Sequence, residues 1–116
     1  MITGKETDMG KLEVRIGINP ISWTNDDLPQ LGGDTPLETC LVEGTEIGYV
    51  GFELGNKFPK DPAELKAKLA GYGAVVVSGW HSGNLAEGTL EDEIKAVDAH
   101  MKKLVFNGCK VMVYGE

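Results

Sequence analysis

Basic residues are scarce in this chain: 11 Lys and Arg stand against 18 Asp and Glu, a formal charge of −7 over 116 residues. Such a balance leaves no positive footprint for DNA, RNA or an anionic membrane surface, so small polar molecules or metal ions are the partners it favours. Cysteine is nearly absent. Cys40 falls on the apolar face of an expected helix and Cys109 at a strand entrance, which suits buried reduced thiols better than a disulfide framework. Long apolar runs are missing as well: none approaches the roughly 20 residues that cross a bilayer, and residues 1–12 are polar, without an apolar signal core. The expected location is the cytoplasm. No Gly-rich phosphate loop opens any expected helix, which removes the commonest kind of nucleotide site.

What is present is a repeat. Four short apolar runs, Val14-Arg15-Ile16-Gly17-Ile18, Val50-Gly51-Phe52-Glu53-Leu54, Ala74-Val75-Val76-Val77-Ser78 and Lys110-Val111-Met112-Val113-Tyr114, each lead into a polar or aromatic cluster. Between them lie three helical patterns. Thr35-Pro36-Leu37-Glu38 and Asp61-Pro62-Ala63-Glu64 each place a capping side chain, a proline whose missing N–H would be unpaired anyway, and a glutamate three residues after the cap. Thr89 opens the third. The apolar stripes are Leu37, Cys40, Leu41 and Ile47; Leu65, Leu69 and Tyr72; and Leu90, Ile94, Val97, Met101, Leu104 and Val105. Gly48, Gly73 and Gly108 stand where the chain must turn left-handed to leave each helix.

The expected order is therefore β-α-β-α-β-α-β with right-handed crossovers and parallel strands. Alternation separates two architectures. Val14, Ile16 and Ile18 oppose Arg15, Gly17 and Asn19, while Val50, Phe52 and Leu54 oppose Gly51, Glu53 and Gly55, so one face of the sheet is polar. Burying Arg15 or Glu53 unpaired beneath a second layer of helices would cost about 3–5 kcal/mol, whereas a barrel lumen lets them pair with each other or meet water. The reading is an α/β fold, the amino-terminal half of a (β/α)8 barrel spanning residues 13–116, with residues 1–12 as a leader. A whole barrel of this kind takes about 250 residues, so the remaining half or a second copy of the chain is expected to cover the open edges.

Ligands gather at the carboxyl ends of such strands. There the chain reads Gly17-Ile18-Asn19-Pro20-Ile21-Ser22-Trp23-Thr24-Asn25-Asp26-Asp27-Leu28-Pro29, Gly32-Gly33-Asp34-Thr35-Pro36-Leu37-Glu38, Glu53-Leu54-Gly55-Asn56-Lys57-Phe58-Pro59, Ser78-Gly79-Trp80-His81-Ser82-Gly83 and Val113-Tyr114-Gly115-Glu116. Together these stretches resemble the amino-terminal part of inosose dehydratase, the 2-keto-myo-inositol dehydratase of inositol catabolism. The resemblance implies a xylose-isomerase-like barrel that uses a divalent metal, Mn²⁺ or Co²⁺, with glutathione as a candidate further requirement, to remove water from a cyclic polyhydroxy ketone. It also implies that the principal metal ligands lie on later strands, so no metal ligand is assigned within this segment.

Dehydration beside a ketone needs a polarised carbonyl, a base for the neighbouring carbon's proton and an acid for the departing hydroxyl. A cyclitol further needs amides, carboxylates and flat aromatic faces to orient it. The catalytic candidates are Lys57 and His81, and the substrate-binding candidates are Asn19, Trp23, Glu53, Asn56, Trp80 and Glu116. Each has a plainer alternative: Asn19 as a loop cap, Trp23 as packing, Glu53 as a counter-charge to Arg15, Lys57 as a solvated lysine and His81 as a structural histidine. His100 is expected on the surface. Besides a hydro-lyase, a sugar isomerase or epimerase on the same barrel and an inactive folded half-barrel remain open.

Overall fold

A computed structural model describes residues 13–116; the expected leader, residues 1–12, lies outside the described residues. The elements run β1 (Gly17–Ile18), a 3-10 turn (Pro20–Ser22), α1 (Leu37–Ile47), β2 (Gly51–Leu54), α2 (Pro62–Ala70), β3 (Val75–Ser82), α3 (Leu90–Phe106) and β4 (Met112–Gly115). The strands form one parallel sheet in the order β1-β2-β3-β4. A doubly wound sheet reverses direction along its strand order, placing helices on both faces. Here the order never reverses, so right-handed crossovers put all three helices on one face, as in half of a (β/α)8 barrel.

The core fills the space between that face and the helices. Leu37 and Leu41 of α1, Leu65 and Leu69 of α2 and Leu104 of α3 form one buried cluster with Phe52, Leu54 and Val76 of the sheet. Ile18 and Tyr72 pack at its margin. The opposite face of the sheet is concave and starts with small residues for a physical reason: a Cβ on Gly17 or Gly51 would lie 2.8 or 2.4 Å from a methyl group of Val77. Both cysteines are free and buried, as the sequence implied, and burial pushes the Cys40 thiol up.

Several boundaries differ from expectation. β1 pairs only through Gly17 and Ile18, because it is an edge strand with a neighbour on one side and Val14, Arg15 and Ile16 are exposed. β3 runs four residues past Ser78, since its second half gains a new partner: Gly79 to Ser82 pair with Met112 to Gly115. Asp61 and Thr89 cap α2 and α3 as expected, accepting from the backbone N–H of Glu64 (3.0 Å) and Asp92 (3.2 Å). Thr35 does not cap α1, which starts after Pro36 without a side-chain cap. Gly48, Gly73 and Gly108 all carry positive φ, at 118°, 70° and 71°. On α3 only Leu104 of the expected stripe is buried, while Ile94 and Val105 are 58% and 68% exposed, so most of that apolar face has no cover among the described residues.

Gly44 sits in the middle of α1, where alanine would ordinarily be preferred by about 1 kcal/mol. A Cβ there would stand 2.7 and 2.8 Å from the ring of Phe52. Overpacking of this kind costs about 1–3 kcal/mol, which outweighs the propensity gain. Urea unfolding of Gly44→Ala should therefore show a lower midpoint than the parent; a higher one would mean the helix does not press on Phe52.

Candidate functional site

The polar residues at the carboxyl ends of β1, β2 and β3 surround a cleft of about 190 Å³. Asn19, Asp26, Glu53, Asn56, Lys57 and Trp80 are among its lining. At its centre is Glu53. Asn19 ends β1 with its side-chain oxygen accepting from the Ile21 N–H at 2.9 Å, which turns its amide nitrogen to donate to Glu53 Oε1 at 2.7 Å. Ser78 Oγ donates to the other oxygen, Oε2. Arg15 plays no part: it is exposed at the edge of the sheet, and the partners of Glu53 are neutral donors.

Ser78 reaches Glu53 because of an irregularity in register. Phe52 pairs with Val76 but Glu53 pairs with Ser78, leaving Val77 as an extra residue. A bulge of this kind shifts the alternation of the strand beyond it. Val75 and Val77 face the concave side, against Gly51; Ser78 faces the same side; then Gly79 meets Leu104 and His100 of α3 on the other. Trp80 consequently turns to the concave side, over Gly115, with its indole N–H donating to Ser82 Oγ at 3.0 Å. Half of its surface is exposed, leaving an open aromatic face beside the cleft.

The same shift carries His81 away from the cleft. His81 lies under α3, where its Nε2 meets Glu93 Oε1 at 2.9 Å and its ring stacks on Tyr114 with centroids 5.6 Å apart. Glu93 uses its second oxygen to accept from the Asn84 backbone N–H at 3.0 Å. That amide and the His81 ring hold the Glu93 carboxyl below its usual range. His100, expected on the surface, is half-buried beside His81 with an unpartnered Nε2, and burial lowers its pKa. Glu116 belongs to this outer cluster too. It accepts from the backbone N–H of Leu85 and Ala86 at 3.2 and 2.7 Å and from the Tyr114 hydroxyl at 3.1 Å. Burial and the neighbouring carboxylates push the Tyr114 phenol up to about 12.

Of the eight residues singled out from sequence, the structure thus brings five together: Asn19, Glu53, Asn56, Lys57 and Trp80. Trp23 lies against α1, with its indole N–H donating to Glu43 Oε2 at 2.6 Å, outside the cleft lining. Ser78, Asp26 and Glu93 were missed. Ser78 was masked as the end of an apolar run, and Asp26, which accepts from the Asn56 N–H at 3.0 Å, is one of many loop acids without a distinguishing spacing. Glu93 carries no signal beyond its place one turn into α3.

No three His, Cys, Asp or Glu side chains among the described residues form a group that could hold a metal ion. The divalent metal implied by the resemblance therefore does not fit the described side chains. No helix among them is long and apolar enough to cross a membrane.

Comparison with known proteins gives the likeness a measure. The chain is 47% identical over 105 residues to the rhizopine catabolism protein MocC of Rhizobium meliloti, covering 90% of this chain and 32% of that protein. It is 42% identical over 104 residues to an inosose dehydratase of Geobacillus thermodenitrificans, covering 90% and 35%, and 41% identical over 103 residues to one of Mesomycoplasma hyopneumoniae, covering 89% and 34%. No family model matches the chain. The resemblance read from the strand-end loops is borne out, and the chain spans about a third of the length of the curated relatives it matches.

Glu93 makes stability depend on acid in a defined direction. Because its folded carboxyl is depressed, its contribution is complete above the unfolded value of about 4.3 and is lost as pH falls through the lower folded value. Glu93→Gln should flatten the decline of the urea midpoint below about pH 4.5. Equal slopes in the two proteins would show that the outer cluster does not hold this carboxylate.

Proposed function

We propose that this chain is the amino-terminal portion of a cytoplasmic dehydratase that removes water from inosose, 2-keto-myo-inositol, in inositol catabolism. The reaction class rests on the identity to inosose dehydratases over nine tenths of the chain. The substrate class rests on one observation: the Glu53 carboxylate, aimed into the cleft by Asn19 and Ser78, beside the open face of Trp80.

The chemistry follows from hydrogen-bond capacity. An ionised carboxylate offers about four lone-pair positions, and the two donors found on Glu53 leave the remainder for the hydroxyls of a substrate. Adjacent hydroxyls on a cyclitol ring are paired donors that a carboxylate accepts well, while the ring's C–H face suits the flat indole of Trp80. The exposed amide of Asn56 adds both a donor and an acceptor at the rim. In this reading the segment recognises and orients the ring. The groups that take the α-proton, assist the departing hydroxyl and hold a divalent metal, with glutathione if it is required, come from the rest of the protein.

His81 then serves as support for the back of the sheet, and Glu116 holds the loop after β3. The outer edge of β4, unpaired among the described residues, and the exposed Ile94, Met101, Val105 and Val111 support completion of the barrel by further β/α units or by a second copy.

The test is conversion of 2-keto-myo-inositol by the full-length protein, followed by the mass of the product, with and without Mn²⁺ and glutathione. Loss of 18 mass units, about one water, is the expected result. Product of unchanged mass would indicate isomerisation or epimerisation instead, and no conversion would end the reading. Glu53→Gln should lower kcat/KM roughly 10- to 100-fold, the effect of losing charged hydrogen bonds.

A further inference from the structure

Lys57 was expected to act on substrate, yet its ammonium group already has three partners. Nζ donates to the carbonyl oxygens of Gly32 at 2.8 Å, Gly33 at 3.2 Å and Thr35. An ammonium has three protons and no lone pair, so this set saturates it. The acceptors all come from the loop between β1 and α1, whereas Lys57 stands in the loop between β2 and α2. A second tie runs the other way: Asp26 of the first loop accepts from the Asn56 N–H of the second.

The carbonyls are presented by a loop folded tightly on itself. The Thr35 N–H donates to Gly32 O at 3.0 Å, the Leu31 N–H to Leu28 O at 2.8 Å and the Asn25 N–H to Leu31 O at 3.1 Å. Gly32 has φ of 73°, and a Cβ there would fall 1.9 Å from the Trp23 carbonyl oxygen, so no side chain is compatible with this path. With its carbonyl committed to Lys57, Thr35 forms part of the binding ring for the ammonium while the helix starts without a side-chain cap.

We infer that Lys57 is a positioning residue that clasps the β1–α1 loop to the β2–α2 loop and thereby fixes the cleft wall of Thr24, Asn25, Asp26 and Asp27, without transferring a proton. This inference deepens the proposed function by assigning its cleft a clasp. The first measurement is independent of activity: hydrogen exchange of the loop amides in the full-length protein.

Lys57→Met keeps the length of the side chain and removes the charge. It should speed exchange at residues 24–35 roughly 10- to 100-fold, the ratio for losing charge-assisted hydrogen bonds, and Lys57→Cys alkylated with bromoethylamine should restore protection. If dehydration is also observed, Lys57→Met should raise KM while the pH midpoints of kcat/KM stay in place. Unchanged loop exchange overturns the clasp, as does loss of one limb of the pH profile. Should the variants fail to fold, amine acetylation of the parent protein decides: Lys57 should label more slowly than the exposed Lys95 and Lys102, and equal labelling overturns the inference. Absence of dehydration with altered loop exchange would remove the proposed function and leave the clasp standing.

Discussion

A right-handed crossover between parallel strands has only one way to return to the sheet, and three of them in unbroken sequence must leave their helices on the same side. That constraint divides the molecule. One face of the sheet receives every helix and becomes the apolar core around Phe52, Leu41, Leu65 and Leu69. Among the described residues the other face receives none and remains open to polar groups, so Glu53 sits at a strand end, half-buried, instead of lying beneath a second layer of helices as an uncompensated charge. The cleft exists because the strand order never reverses.

Regular features were legible in the sequence for a physical reason: they are local. The caps Asp61 and Thr89, the left-handed exits at Gly48, Gly73 and Gly108, and the stripe Leu65, Leu69, Tyr72 all depend on residues within one or two turns of each other. Parallel strands and the helix-free face followed from them. The apparent failures of the α3 stripe at Ile94 and Val105 concern what packs against the helix, which no local pattern specifies. Thr35 failed as a cap because α1 starts at Leu37, one residue later than expected, which puts Pro36 and not Thr35 at the cap position.

The bulge at Val77 was invisible for a related reason. Strict alternation from Val75, which faces Gly51, would carry Val77, Gly79 and His81 to the concave side and hide Trp80 beneath α3. The extra residue reverses this, giving the cleft a serine and a tryptophan and giving the core side a glycine and a histidine. Gly79 is needed there, since a Cβ would come within 2.8 Å of Leu104 and 3.0 Å of His100. Placing Trp80 and His81 together at the mouth was sound as far as the strand end goes; a one-residue shift in pairing decided which of them looks inward.

The strand ends accordingly carry two polar clusters with different thermodynamic character. On the core side, Glu93 has one oxygen on His81 and the other on a backbone N–H, with its side chain only 10% exposed, and Glu116 is likewise occupied by the amides of the β3–α3 loop. Carboxylates whose oxygens already accept from backbone amides stabilise one arrangement of the loop, whether buried like Glu93 or exposed like Glu116. On the cleft side, Glu53 also has a donor on each oxygen, but its neighbours are the open indole of Trp80 and the exposed amide of Asn56. In general, solvent over an accessible carboxylate is exchanged for a hydroxyl group at small cost, because the hydroxyl replaces the hydrogen bonds that water gives up. Between the two clusters, it is the one with exchangeable solvent that has the character of a recognition site, and the carboxylates best satisfied by the protein are those that hold the fold in place around it.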